Sequence, residues 1–150
     1  MAANINMDGI SLFYDFKDIV ALGAEHSTLN REVEDVAHHM GLEVSPDPMP
    51  EENFFIRSDQ YSFVKQGVPA LAISEGFKTV DPALDGRKIQ IAWMTNYYHT
   101  PQDDMNQPLN FDAARKCTQV ILAVGYEVAE ATDRPTWNPG DIFGQRFAHH

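Results

Sequence analysis

The chain has 150 residues, of which 43% are hydrophobic and 22% charged, and its formal net charge is -11. These proportions are typical of one globular domain and argue against general disorder. The negative charge would repel a phosphate backbone, and no apolar run approaches the roughly 20 residues of a membrane-spanning helix, so nucleic acid and membrane are not expected partners.

The first 41 residues predict two strands and a helix. Residues 4–8 alternate polar and apolar side chains, and residues 19–22 form an apolar run that ends at a glycine, so each segment predicts a strand. Residues 29–40 carry apolar side chains at helical spacing, with Ser27 or Thr28 as the candidate N-cap.

The next segments predict a short strand, a loop, a short helix and a buried strand. Residues 42–44 favour a strand, and the three prolines of SPDPMPEEN after it predict a surface loop. Asp59 is a candidate N-cap for a short helix through Val64. The apolar run PALAIS, residues 69–74, predicts a buried strand that begins at a proline.

Residues 75–110 predict a mostly irregular, functional loop, because glycines and prolines interrupt them throughout. Asn110 is the candidate N-cap of a long helix with a 3.6-residue apolar period. Cys117 lies on that apolar stripe, which predicts a buried thiol rather than a nucleophile. We expect a domain over residues 1–134 and a tail over residues 135–150.

Strands that alternate with helices predict an α/β fold, a layered domain with a mixed, largely parallel sheet flanked by helices. The N-terminal sequence lacks the basic segment and apolar stretch of a signal peptide, so no export signal is expected from it, and the compartment stays open.

Asp8 and His99 are the candidate functional residues. Asp8 ends a predicted strand and His99 lies in the polar stretch YYHTPQDDMN, and α/β folds place ligand-binding groups just beyond strand ends. By residue type alone, Asp8 is equally a turn residue and His99 equally a solvated loop histidine.

Three segments occur in an order that resembles the C-terminal half of the co-catalytic, di-zinc aminopeptidase family. They are INMDG at residues 5–9, FIRSDQYSFVKQGVPAL at residues 55–71 and YHTPQDD at residues 98–104. The family includes relatives of glutamate carboxypeptidase, transferrin receptor and glutaminyl cyclase. The resemblance implies a partial zinc-exopeptidase fold and a parent metallopeptidase that removes N-terminal residues from peptides with a water activated by two zinc ions.

The resemblance assigns Asp8 to one zinc ion and His99 to the other. Asp59, Tyr98, Asp103 and Asp104 are further candidates, as pocket residues or as supports of the ligands. For each of these four an ordinary role is open as well: a helix cap for Asp59, edge packing for Tyr98, and loop solvation for the two aspartates.

The family takes its other zinc ligands and its general base from a His-x-Asp segment and two adjacent glutamates that precede INMDG. No His-x-Asp occurs here, and Glu51 and Glu52 follow Asp8 in the proline-rich loop. Gln60 stands where the family often has histidine. We therefore expect weak or absent zinc binding and no turnover by this chain alone.

Three interpretations follow from these departures. The chain is a truncated aminopeptidase domain, or a non-catalytic protein that keeps the scaffold and binds a partner or itself as a homodimer. In the third interpretation the missing N-terminal half is a separate polypeptide, and peptides are hydrolysed only by the complex. The resemblance also implies that family members are often secreted or periplasmic.

Overall fold

The computed structural model describes residues 1–9 and 13–148. Its strands are β1 (Asn4–Asn6), β2 (Asp18–Leu22), β3 (Glu43–Val44) and β4 (Ala70–Glu75). They form one sheet in the order β1-β4-β2-β3, in which β1 pairs with β4 and β2 with β3 in parallel, whereas β2 and β4 are antiparallel. The predicted α/β class with a mixed, largely parallel sheet flanked by helices is confirmed.

Helices lie on both faces of the sheet. They are α1 (Leu29–His39), α2 (Phe54–Arg57), α3 (Gln60–Val64), α4 (Gly86–Asn96), α5 (Phe111–Glu130) and α6 (Ile142–Phe147). None in the described part of the chain has the length and apolar character needed to cross a bilayer.

One face of the sheet packs against α1 and α5. Ile19 and Ala21 of β2 share this face with Ile73 of β4, because Ala21 pairs with Ile73 and side chains alternate along each strand. Leu71 joins them, and the apolar stripes of the two helices complete one buried cluster. The 3.6-residue periods that predict α1 and α5 therefore mark the core.

The prediction of a mostly irregular segment over residues 75–110 missed α4, which occupies eleven of those residues. The Asp85 side chain accepts a hydrogen bond from the Lys88 backbone N–H at 3.1 Å, which caps the helix and lowers the pKa of Asp85. Ile89 packs against the core and Trp93 follows one turn later. The sequence signal for α4 was Asp85, a capping residue, followed by apolar residues at helical spacing.

The capping predictions for Asn110 and Asp59 have different outcomes, because the two residues differ in backbone conformation. The Asn110 side chain accepts a hydrogen bond from the Ala113 N–H at 3.0 Å, as predicted. Asp59 precedes α3 with helical angles, φ -63° and ψ -32°, and its side chain makes no capping hydrogen bond. An N-cap side chain reaches back to the helix only from an extended backbone, so the predicted capping role of Asp59 is wrong.

The tail over residues 135–148 docks onto the domain by long-range hydrogen bonds. Thr136 and Thr28 bond each other, and the Trp137 indole N–H donates to the Gly67 carbonyl at 3.0 Å. At the start of α6, Asp141 accepts a hydrogen bond from the Phe143 N–H at 2.8 Å.

Candidate functional site

A cleft of about 210 Å³ lies over the sheet face that points away from α1 and α5. Side chains of β2 and β4 form its floor, and α2, α4 and the loop at residues 47–49 form its walls. Most of its lining is apolar, from Val20, Leu22, Met49, Phe54, Ala72, Phe77, Trp93 and Met94. Such a cleft removes an apolar group from water.

Three acidic residues are among those that line the same cleft, Asp8, Asp47 and Glu75. The described lining residues include no lysine, arginine or histidine. Negative charge within low-dielectric walls favours a positively charged ligand and disfavours an anion. The cleft therefore suits a ligand with an apolar body and a cationic group.

Glu75 ends β4 and is only 5% exposed. The Gln90 amide, from α4, donates a hydrogen bond to a Glu75 carboxylate oxygen, which joins the sheet to the cleft wall. Burial, followed by the nearby charge of Glu75, raises the pKa of the Tyr14 phenol. Tyr14 stays protonated and donates its hydroxyl proton to the Gly76 carbonyl at 3.0 Å.

Asp8 lies two residues beyond β1, exposed at the cleft. The end of β1 is held by Asn6, whose side-chain amide donates to the Gln60 side-chain oxygen at 3.1 Å. Gln60 is fully buried and donates in turn to the Phe55 carbonyl at 2.8 Å. Gln60 thus ties β1, the strand that precedes Asp8, to the helix that walls the cleft.

His99 lies just after the C-terminal end of α4, with a left-handed φ of 58° that is uncommon for a residue other than glycine. Its ring stacks on Tyr98, with centroids 3.8 Å apart. Tyr98 lines the cleft and also contacts Trp93, at a centroid distance of 5.3 Å. The structure brings Asp8 and Tyr98 to one cleft and places exposed His99 immediately beyond it.

The other predicted site residues are exposed aspartates outside the cleft lining. Asp59 follows the lining residue Ser58. The Asp104 carboxylate accepts hydrogen bonds from the backbone and side chain of Asn106, at 2.8 and 3.1 Å, so it shapes its own turn. The Asp103 N–H donates to the Thr100 carbonyl at 3.0 Å.

The described residues do not by themselves fit a zinc centre. A zinc ion in a protein takes at least three protein ligands from cysteine, histidine and carboxylate side chains. Residues 1–9 and 13–148 contain no group of three or more such side chains placed to hold a metal. Asp8 and His99 remain two separate exposed donors.

The sequence interpretation missed Asp47, Glu75, Gln90 and Trp93. For Glu75 a signal existed, because it directly follows a predicted buried strand, as Asp8 does. Gln90 and Trp93 belong to the helix that was not predicted. Asp47 lies in the proline-rich loop, where nothing in the sequence distinguishes it from a solvated acid.

A family model described as Peptidase family M28 matches residues 1–125. A search of curated proteins found no match, and neither did a search of solved structures. The matched segment includes all four strands, the helices α1 to α4 that flank them, and every residue that lines the cleft. The chain belongs to peptidase family M28.

Proposed function

We propose that this chain is the C-terminal part of a zinc aminopeptidase domain whose cleft binds the N-terminal residue of a peptide. Family membership supports a peptidase-like domain of the hydrolase class. The order of INMDG, the Asp59 segment and YHTPQDD supports the correspondence to a C-terminal half and the kinship with glutamate carboxypeptidase, transferrin receptor and glutaminyl cyclase.

The observation that carries this proposal is the charge pattern of the cleft. An apolar N-terminal residue combines a cationic ammonium group with an apolar side chain, and both find matching partners there. A C-terminal carboxylate would meet Asp8, Asp47 and Glu75 with no opposing cation in the described lining. The volume of about 210 Å³ is ample for a leucyl or phenyl side chain, since a 150 Å³ cavity admits benzene.

Asp8 and His99 are proposed as terminal ligands of two different metal ions, as the resemblance implies. One protein ligand for each ion is too few for tight binding, so no catalytic step is assigned to this chain. Catalysis would need further metal ligands and a general base that residues 1–150 do not supply. The isolated chain should therefore bind zinc weakly or not at all and leave peptides intact.

A non-catalytic role is the second candidate. In it, the chain keeps the peptidase scaffold and binds a partner or a second copy of itself. The observation that favours it is the exposure of apolar side chains on α5, where Phe111 is 66% and Leu122 is 70% exposed. Exposed apolar side chains are a feature of protein–protein contact surfaces.

Ligand binding tests the proposed cleft. Calorimetry should detect leucinamide, which carries an ammonium group, and should detect neither N-acetylleucinamide nor the anion N-acetylleucine. Glu75→Gln should weaken leucinamide several-fold, whereas Glu43→Gln, which removes the same charge from an exposed strand residue, should not. Equal binding of all three ligands would refute the charge argument.

Zinc titration tests the metal assignment. The protein should be used without His149 and His150, whose imidazoles would otherwise compete for zinc, and compared with Asp8→Ala and His99→Ala. We expect no tight binding and no hydrolysis of leucine-nitroanilide. Sub-micromolar zinc binding that both variants abolish, or turnover by the isolated chain, would contradict the proposal that this chain supplies only part of the zinc site.

A further inference from the structure

The tail over residues 135–148 contacts the helix that walls the cleft. The family model matches residues 1–125, so this tail lies beyond the matched segment. The ring of Phe143, in α6, has four aromatic neighbours at centroid distances of 6.2 Å or less, which are His26, Phe55, Tyr61 and Trp137. We call these five residues the tail cluster. The tail cluster joins α6 to α2, to α3 and to the turn after β2.

The helix α2 lies between the tail cluster and the cleft. Phe54 and the following Ser58 line the cleft. Phe55 is not among the lining residues, and its ring contacts those of Phe143 and His26 at centroid distances of 5.4 and 5.5 Å. Adjacent side chains on a helix point about 100° apart, so Phe54 and Phe55 face different neighbours. Whatever moves Phe55 therefore also moves the cleft wall.

The position of α2 depends on contacts with other elements. It has four residues, and helices shorter than roughly 12 residues are marginal on their own. The Gln60 side chain donates to the Phe55 carbonyl at 2.8 Å. The Phe55 ring lies against Gly23, where a Cβ atom would overlap it and where φ is 89°, an angle suited to glycine. Phe143 is the tail's contribution to holding the same ring.

The tail is anchored at places outside the cleft. The Asp141 carboxylate lies 2.7 Å from the His26 Nδ1 atom, and these side chains are only 11% and 25% exposed. The Trp137 indole N–H donates to the Gly67 carbonyl at 3.0 Å. None of these four residues lines the cleft. The tail is thus held without help from a ligand, and its aromatic contact with α2 is where it meets the cleft wall.

We propose that the tail positions the wall of the cleft, with Phe143 as the positioning residue. Phe143 holds Phe55, and this contact fixes Phe54 against the apolar part of a ligand. Release of α6 therefore loosens the wall and weakens ligand binding, and by thermodynamic linkage a bound ligand tightens the docking of α6. The part of this inference that concerns ligands rests on the proposed cleft function, whereas the coupling of α6 to α2 does not.

Hydrogen exchange on the full chain tests the coupling without a ligand. In Phe143→Ala the Ile56 amide of α2, bonded to the Asn53 carbonyl at 3.2 Å, should exchange about fivefold faster. Ile142→Ala, at the adjacent position of α6, is the control because Ile142 is 65% exposed. The Ala113 amide at the start of α5 should not change. Unchanged Ile56 exchange in Phe143→Ala, or an equal increase in Ile142→Ala, overturns the proposal.

A milder variant makes the test independent of how well Phe143→Ala folds. Phe143→Leu keeps an apolar side chain but loses the aromatic faces that contact the rings of His26 and Phe55. It should accelerate Ile56 exchange in the same direction and by a smaller factor. Wild-type Ile56 exchange in Phe143→Leu, with α6 exchanging faster, would show that α6 and α2 are not coupled.

Ligand selectivity separates positioning from a general loss of structure. Leucinamide and glycinamide both carry the ammonium group, but only leucinamide has a side chain to contact Phe54. In Phe143→Ala, titration by nuclear magnetic resonance should show affinity for leucinamide lowered about fivefold and affinity for glycinamide nearly unchanged. Equal losses for both ligands would contradict positioning by Phe143. A wild-type protein that binds no leucinamide would refute the proposed function, and Ile56 exchange would still decide the coupling.

The reciprocal effect is measured on the tail itself. Saturating leucinamide should slow exchange over residues 142–147 of the wild-type protein by about the same factor of five, because linkage is symmetric. N-acetylleucinamide should have no effect, and leucinamide should no longer slow this segment in Phe143→Ala. Leucinamide that binds to the wild-type cleft without slowing exchange in α6 would contradict the coupling.

Discussion

The two faces of the sheet differ in what their side chains do. Toward α1 and α5, Ile19, Leu71 and Ile73 are at most 1% exposed and contribute only apolar packing. On the opposite face, Val20, Ala72 and Ser74 form the floor of a cleft that Asp8 also lines. One face stabilises the fold and the other forms a cleft for a ligand. Substitutions on the first face should therefore affect stability, and substitutions on the second should affect ligand binding.

The largest effect should come from the packed face. Leu71→Ala should lower the free energy of unfolding by about 3 kcal/mol, because it leaves a cavity in a fully buried cluster. Ser74→Ala, in the same strand but toward the cleft, should change it by less than about 0.5 kcal/mol. Urea denaturation measures both, and similar losses would mean that the cleft face is also part of the core.

Gln60 should give the next largest effect, because it joins the two regions. Gln60→Leu leaves the Phe55 carbonyl and the Asn6 amide without their buried partner, at a cost of about 2 kcal/mol. Gln66→Leu, at an exposed position in the turn after α3, should be nearly neutral. If Gln60→Leu is equally neutral, then this hydrogen-bond network does not hold β1.

Asp141 extends the comparison to the tail. Asp141→Ala should cost about 1 kcal/mol, because Asp141 caps α6 and bonds the His26 imidazole at 2.7 Å. Asp141→Asn keeps the capping oxygen and should lose less. The exposed Asp133→Ala is the control. Hydrogen exchange over residues 142–147 reports the change, and unaltered exchange in Asp141→Ala would show that the cap is dispensable.

Substitution of Tyr14 should have the smallest effect on stability, and this effect should depend on pH above about 10. Burial raises the pKa of Tyr14, so the folded protein keeps this proton when the unfolded chain begins to lose it near the ordinary tyrosine pKa of about 10. The unfolded state then binds fewer protons, and the free energy of unfolding must fall as pH rises above about 10.

Tyr14→Phe should therefore flatten the alkaline fall in stability. At neutral pH the same substitution should cost only about 1 kcal/mol, for the lost bond to Gly76. Tyr126→Phe, at a position 62% exposed, should leave the slope unchanged. Urea denaturation at several pH values measures the slope, and a wild-type slope in Tyr14→Phe would contradict the burial argument.

The packed face was predictable from sequence and the cleft was not. The periods of α1 and α5 and the apolar runs of β2 and β4 each lie within one short segment, so local pattern identified them. Glu75, Gln90 and Asp47 come from separate segments, and only the folded sheet brings them together. Gln60 gave no local sign of burial, because its partners depend on the position of β1 relative to α2.

The two tryptophans can show whether the cleft recognises an apolar N-terminal residue. Trp93 lines the cleft, whereas the Trp137 indole N–H is bonded to Gly67 beneath the tail. In nitrogen-15 spectra with leucinamide, we expect a saturable shift of the Trp93 indole signal, an unmoved Trp137 signal, and no Trp93 shift with N-acetylleucinamide. A stationary Trp93 signal, or the same shift with both ligands, would contradict a cleft that recognises an apolar N-terminal residue.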